Sequence, residues 1–313
     1  MQIFTENFKS SPYWWEKAPR PKIEIKKVPE KIDVAIIGSG YTGLCAALTL
    51  VKAGCEVVVF DAEDAGWGCS SRNGGQVSTS IKPGFRKLCG QFGEAAATKI
   101  IKEGQNSLNW LKNFIAREKI DCSFKVPGRF FAAHSQREFD RLAANLKAQP
   151  ASLEVKAKLV TRAEQRKELG TDIYHGGAVF ESHASLDPAL YHSALLEKVL
   201  KAGVTIITNC RVKKIRKHNA ECSLDTQLGL FNANKVIVGT NGYTGQLTPW
   251  LRRRVIPIGS YMIATDVLDD DLINELMPTD RVISDTRKVV YYYRPSPDLS
   301  LIHISEPTRP FHI

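Results

Sequence analysis

The chain has 313 residues, 43% of them hydrophobic and 24% charged, with a formal net charge of +10. This balance fits a folded globular protein rather than a disordered one, and the length suggests about two domains. No stretch approaches the roughly 20 consecutive apolar residues of a membrane span, and the amino terminus has no basic stretch followed by an apolar core, which argues against a signal peptide. A cytoplasmic location is expected. Seven cysteines (Cys45, Cys55, Cys69, Cys89, Cys122, Cys210 and Cys222) make an odd number without a C-x-x-C pair, so neither a disulfide frame nor a structural metal site is expected. The basic residues are scattered: Lys22, Lys26 and Lys27 early, Lys213, Lys214, Arg216 and Lys217 together, Arg252 to Arg254 in a loop. They read as a solvated surface that favours anions, and no nucleic-acid partner is expected.

Residues 1–30 form an arm with Pro12, Pro19, Pro21 and Pro29, in which Tyr13, Trp14 and Trp15 are placed to pin it onto a domain surface. DVAII (Asp33–Ile37) is a continuous apolar run that predicts a strand buried on both faces. A glycine turn follows, then a helix from Tyr41 to Ala53 closed by Gly54, then a second strand EVVVF (Glu56–Phe60). Together they have the size of one βαβ unit. Further on, helical spacing marks residues 94–117 and 136–148, and Arg129–Ala133 reads as a strand. Asp187 and Pro188 open a helix that Gly203 ends, and strands follow at Val204–Thr208 and Lys235–Gly239. The return of strands after an insertion predicts a discontinuous nucleotide domain with a second domain threaded through it.

Gly38, Gly40 and Gly43 match G-x-G-x-x-G between the first strand and the helix. In that setting the first glycine allows the tight turn, the second lets the backbone approach a pyrophosphate, and the third lets the helix pack closely. Main-chain N–H groups at the helix start, Tyr41 and Thr42 among them, then face the phosphates. Asp61, at the end of the second strand, stands where a ribose-binding carboxylate is expected. The loop AGWGCSSRNGGQ (Ala65–Gln76) separates FAD from NAD. Its small residues let N–H groups converge on an anion, and Arg72 can compensate pyrophosphate charge.

The stretch Asp33–Gln76 with its RNGGQ end resembles the FAD-dependent oxidoreductases of the D-amino acid oxidase-like family. YWWEKAPRP (Tyr13–Pro21), KVIVGTNGYTGQL (Lys235–Leu247) and VIPIGSYMIATDVL (Val255–Leu268) carry the same resemblance. The family usually has Glu where this chain has Asp61. The resemblance implies an α/β fold, a discontinuous Rossmann-type FAD-binding domain with an inserted α+β substrate domain. The expected boundaries are 31–80 and 160–255 for the first, 81–159 and 256–298 for the second. It also implies that Ser70, Ser71, Arg72, Asn73, Gly74 and Gly75 line the path from pyrophosphate to flavin, that Val212 gives a main-chain contact to adenine, and that Thr240 and Asn241 lie near the phosphates. The implied reaction is oxidation of an amine at its C–N bond by hydride transfer to FAD, with oxygen or another acceptor taking the electrons. Tyr261, Tyr291, Tyr293 and Arg294 are candidates for the substrate wall. Arg294 would pair with a substrate carboxylate such as a gamma-glutamyl end. No catalytic side chain is assigned.

After VVYYYRPSPD (Val289–Asp298), a strand entering a turn, the segment LSLIHISEPTRPFHI carries Pro307 and Pro310, poor residues for a returning strand. LSLIHISEPTR also resembles a translated sequencing-adapter stretch. Residues 299–313 are therefore expected to be non-native, with His303 and His312 carrying no weight, and the family's last flavin-binding turn is expected beyond them. A chain lacking that turn is expected to be poorly soluble, to hold FAD weakly and to be inactive. His134, His175, His183, His192 and His218 show no ligand spacing and read as structural or surface groups. G-x-S-x-G is absent, which argues against a Ser/His/Asp hydrolase. Two alternatives stay open: a glycine, sarcosine or D-amino acid oxidase of the same family, and a non-enzymatic basic protein using the nucleotide domain as a scaffold.

Overall fold

The computed structural model describes Glu6, residues 8–24 and residues 28–305, the side chains of residues 303–305 excepted. Lys26, Lys27, the His303 side chain and the stretch from residue 306, with Pro307, Pro310 and His312, lie outside the described residues. The first half holds β1 (Ile32–Ile37), α1 (Tyr41–Lys52), β2 (Val57–Phe60), β3 (Gln76–Val77), α2 (Phe85–Phe92), α3 (Glu94–Arg117), β4 (Arg129–Ala132), α4 (Gln136–Lys147) and β5 (Ala157–Val160). Next come β6 (Gly177–Phe180), β7 (Ala184–Ser185), α5 (Pro188–Lys201), β8 (Thr205–Ile207), β9 (Val212–His218), β10 (Glu221–Thr226), β11 (Gly229–Val238) and α6 (Pro249–Arg252). The last elements are β12 (Tyr261–Val267), α7 (Asp270–Leu276), β13 (Val282–Asp285), β14 (Tyr291–Pro295) and β15 (Ser300–Ser305).

The chain divides into two compact units, Met1–Asn73 with Pro188–Ile258, and Gly74–Asp187 with Gly259–Ile313. The first unit is built on a six-stranded sheet of order β8-β2-β1-β11-β10-β9. β8, β2, β1 and β11 are parallel, and β10 and β9 continue from β11 as antiparallel strands. The central strands are apolar because both faces are covered. Gly43 of α1 lies against Ile36 on one face, while Ala35 and Ile37 join Val58, Phe60, Ile207 and Leu224 on the other. β9 closes the sheet edge with exposed Lys213, Lys214, Arg216 and Lys217. Charge there blunts an open strand edge against pairing with another chain.

The second unit is built on a seven-stranded sheet of order β12-β15-β14-β13-β4-β6-β5, in which only the β13–β4 pair is parallel. Side chains alternate across a strand, so the register sorts them by face. Phe130, Val179, Ile283 and Tyr293 share the face packed with Tyr174, Ile273 and Met277. Arg129, Phe131, Phe180, Ser284 and Arg294 stand on the opposite face.

Two expectations need correction. Residues 160–187, assigned from sequence to the nucleotide domain, lie in the second unit, as do residues 74–80. The reason is strand pairing: β5 joins β6, and β6 joins β4, within the seven-stranded sheet. The returning strand judged unsuitable after Asp298 does form. β15 runs antiparallel to both β14 and β12 and ends at Ser305, two residues before Pro307. The turn into it is closed by the Ser296 N–H donating to the Ser300 carbonyl at 2.8 Å, with Leu299 at φ 65°.

Candidate cofactor site

In the first unit the glycine turn leaves no room for side chains. Gly38 has φ 102°, and a Cβ there would come within 2.7 Å of the Gly239 carbonyl oxygen. A Cβ on Gly43 would sit 1.9 Å from the Gly38 carbonyl oxygen, so the first turn of α1 packs directly on the loop before it. On Gly40 it would meet Ser70 Oγ at 2.9 Å. Gly40 is the N-cap residue and gives no side-chain cap, and the first turn of α1 holds no acidic residue. The Tyr41 N–H donates to Ser70 Oγ at 3.2 Å. A helix start whose own N-cap residue lends no side chain and whose first turn carries no carboxylate favours an anion.

Asp61 ends β2 beside this turn. Its Oδ2 accepts from the Ser39 N–H at 2.7 Å and the Ser39 hydroxyl at 2.5 Å, and its Oδ1 accepts from the Glu63 N–H at 3.0 Å. A carboxylate offers about four acceptor sites, so acceptor capacity remains for a ligand hydroxyl. His192, read from sequence as a structural group, supports the turn: its Nε2 lies 2.8 Å from the Ser39 carbonyl oxygen. Burial lowers its pKa, and the neutral ring donates that Nε2–H. Neither the turn nor α5 points to this role in sequence, because only burial brings the two together.

The aromatic arm and the loop before residue 74 form one assembly. Trp14 is 1% exposed. Its Nε1–H donates to the Asn73 carbonyl at 2.8 Å, and the Trp15 Nε1–H donates to Ser71 Oγ at 2.8 Å. The Arg72 guanidinium lies 4.6 Å from the Trp67 ring centre and 5.8 Å from that of Trp15, and its Nη2 donates to the Tyr243 hydroxyl at 3.3 Å. Among the described residues it has no carboxylate partner within ion-pair distance. Asn241, at φ 47°, donates from Nδ2 to Cys69 Sγ at 3.2 Å, and Thr240 Oγ1 lies 2.7 Å from Thr244 Oγ1. Val212 is buried at the start of β9. The first unit thus gathers the glycine turn, Asp61, the Ser70–Asn73 loop and the end of β11, all read separately from sequence.

In the second unit, Gly74 and Gly75 continue that loop. Gly75 has φ 66°, and a Cβ would clash with the Leu186 carbonyl oxygen at 2.0 Å. Arg294 holds this turn: Nε donates to the Gly74 carbonyl and Nη2 to the Leu186 carbonyl, each at 2.7 Å. The residue is 3% exposed. Its expected role toward a substrate carboxylate is therefore corrected to that of a clamp on main-chain carbonyls. Tyr293 also departs from expectation. It packs on the core face of the sheet, where burial and then the neighbouring Tyr174 push its phenol up and keep it protonated. Tyr261 is exposed, and Tyr291 stands beside Arg287, whose guanidinium lies 5.1 Å from its ring centre.

His183 is buried, with Nε2 3.0 Å from Ser78 Oγ. Burial, and then the charge of Arg129, push its imidazole down to about 3. Unfolded, the ring takes up a proton near its ordinary value of about 6.5. Its contribution to stability is therefore whole above that value and is lost as pH falls toward about 3. Between about pH 7 and pH 4 the melting temperature of His183→Gln is expected to fall less than that of the parent; equal falls would contradict this assignment.

With the geometry in hand, comparison with known proteins gives the family. A family model described as FAD dependent oxidoreductase (DAO) matches residues 33–308. The chain belongs to the DAO family of FAD-dependent oxidoreductases. It is 29% identical over 296 residues to a probable oxidoreductase OrdL of Rhizobium meliloti, covering 93% of this chain and 68% of the relative. It is 29% identical over 276 residues to gamma-glutamylputrescine oxidoreductase of Escherichia coli, covering 87% of this chain and 63% of that protein. The chain thus spans about two thirds of these DAO relatives' length. L-proline dehydrogenase from P. horikoshii shares the fold at a TM-score of 0.70 and 20% identity, covering 88% of this chain and 70% of that chain. Glycine oxidase from Geobacillus kaustophilus does so at 0.67 and 18%, covering 91% and 74%. The α/β reading and the FAD cofactor are those of the family. Among the described residues no helix is long and apolar enough to cross a membrane.

Proposed function

We propose that this chain is the FAD-holding and substrate-shaping part of an enzyme that oxidises the C–N bond of a small-molecule amine of the gamma-glutamylputrescine kind. One observation carries the cofactor half of this reading. The start of α1, with a glycine N-cap and no carboxylate in its first turn, the close-packed glycines and an Arg72 without a carboxylate partner among the described residues stand in one unit. That is the donor set a diphosphate requires. The residues present fit FAD. Gly38, Gly40, Tyr41, Thr42 and Gly43 would bring main-chain N–H groups to the diphosphate, and Arg72 would add a compensating charge. Asp61 would accept from ribose hydroxyls, Val212 would meet adenine through its main chain, and Thr240 and Asn241 would flank the phosphates. Ser70, Ser71 and Asn73 would carry the path toward the flavin ring, the arm tryptophans holding them in place.

When bound, FAD supplies a two-electron acceptor for hydride from the carbon bearing nitrogen; the product imine is then hydrolysed, and oxygen or another acceptor takes the electrons. The side chains of this unit orient and desolvate; none is required to move a proton at the reacting atom. The amine half is supported by the similarity to gamma-glutamylputrescine oxidoreductase. The test is anaerobic bleaching of the flavin band in the full gene product, using gamma-glutamylputrescine, glycine, sarcosine and D-alanine. Fastest bleaching by gamma-glutamylputrescine is expected. Bleaching by glycine or sarcosine alone would move the assignment to an amino acid oxidase of the same family. Arg72→Gln is expected to weaken FAD binding by about ten- to hundredfold, the worth of a charge-assisted contact. Fluorescence titration of the apoprotein with FAD measures this.

A further inference from the structure

The second unit holds a cavity of about 720 Å³ floored by Arg129, Phe131, Phe180 and His183. Arg129 opens β4 on the sheet face opposite the apolar core, and its neighbour across β6 is Phe180. Its guanidinium carbon lies 4.9 Å from the Phe131 ring centre and 5.0 Å from that of Phe180. Its Nε is buried with no hydrogen-bond partner, and the buried Nδ1 of His183 has none either. Among the described residues no carboxylate pairs with Arg129. Burial lowers its pKa to about 10, so it stays a cation at neutral pH.

A half-buried cation between two phenyl rings gains some cation–π energy, but that leaves its buried Nε–H unsatisfied. A charge withdrawn from water without a partner is costly, and native structures supply the partner. Nothing in the wall does so. Arg86, Lys87, Arg141 and Lys156 line the same cavity, and Glu154 is the one carboxylate among its described lining residues. Glu154 lies 3.8 Å from Lys102. The planar guanidinium fork matches a carboxylate in two parallel hydrogen bonds, and the phenyl walls suit a carbon chain behind it.

We propose that this cavity binds a small organic carboxylate, with Arg129 as the residue that recognises it and Phe131 and Phe180 enclosing its carbon chain. The site is defined within the second unit and does not rest on the amine-oxidation reading, so the two fail separately.

Thermal shift and calorimetric titration with glutarate, alongside inorganic phosphate at matched ionic strength, test this in the full gene product. Glutarate is expected to raise the melting temperature saturably, and phosphate to do so more weakly, because it brings no carbon chain to Phe131 and Phe180. Arg129→Gln removes the unmatched charge while keeping the planar amide shape. It is expected to melt at or above the parent temperature and to lose the glutarate shift. Arg129→Lys keeps the charge without the fork and is expected to bind glutarate about tenfold more weakly. A readout on the parent protein alone guards against misfolded variants: glutarate is expected to protect Arg129 from phenylglyoxal, mapped by mass spectrometry. The proposal is overturned by absence of a saturable glutarate shift, by an equal shift in Arg129→Gln, by a phosphate response stronger than that of glutarate, or by unprotected modification of Arg129.

Discussion

Gly43→Ala is expected to abolish stable FAD retention. The new methyl group would stand 1.9 Å from the Gly38 carbonyl oxygen, 3.1 Å from its carbonyl carbon and 3.3 Å from Ile36 Cγ2. The first two are backbone atoms, so no rotamer change relieves the clash. Either α1 lifts from β1 or the glycine turn opens, and both pull the N–H groups from a diphosphate. Overpacking costs about 1–3 kcal/mol, equal to about five- to 150-fold in affinity where all of it is felt at the site. Gly245→Ala is the control, because a Cβ there meets nothing within 4 Å. Apoprotein titration with FAD and thermal melts of both variants provide the measurement. A Gly43→Ala protein holding FAD as tightly as the Gly245→Ala protein would refute the close-packing argument.

Trp14→Ala is expected to be the most destabilising single change in the arm. Removing a fully buried tryptophan costs about 3–5 kcal/mol. It also takes away the indole N–H that satisfies the Asn73 carbonyl. Trp14→Phe separates the two effects: it keeps most of the packing and loses the donor, so a smaller loss of about 1–3 kcal/mol is expected. Trp250 is 59% exposed, and its alanine variant, which loses only a surface cation–π contact with Arg254 at 3.7 Å, is expected to stay within about 1 kcal/mol of the parent. Because Trp14 and Trp15 hold the main chain and side chains of residues 71–73, FAD should also dissociate faster from Trp14→Ala. Denaturant midpoints give the stability and dilution into free apoprotein trap gives the off-rate. A Trp14→Ala protein as stable as the parent would show that the arm does not hold the loop.

The parts of the fold legible in sequence are those where local pattern and tertiary need coincide. β1, α1 and β2 could be read because a strand buried on both faces must be continuously apolar and a turn this tight must be glycine. α3, α4 and α5 were legible from spacing and punctuation within about one residue of their observed limits. β9 was hidden because its exposed lysines read as a run of surface charge; only Val212 and Ile215 mark it, and an edge strand requires no more. β15 was hidden by Pro307 and Pro310, which follow the strand rather than interrupt it. The boundary at residue 188 depended on long-range pairing of β5 and β6, which no local signal encodes.

The candidate site divides in the same way. Gly38, Gly40 and Gly43 could be named from their spacing between a strand and a helix, Asp61 from its place at the end of the second strand, and Arg72 from the small-residue loop around it. Arg294 drew a substrate role from its charge alone, and only the fold reveals that three main-chain carbonyls already occupy it. His192 and Arg129 gave no signal at all. One is a histidine inside an ordinary helix and the other an arginine in a short strand; burial, not sequence neighbourhood, makes each of them informative.

The most direct measurement is the visible spectrum and flavin content of the full gene product purified without added cofactor. One FAD per chain, released on denaturation and taken up again by the apoprotein, is the predicted result. A colourless protein that ignores FAD yet binds NADH would contradict the account at its base.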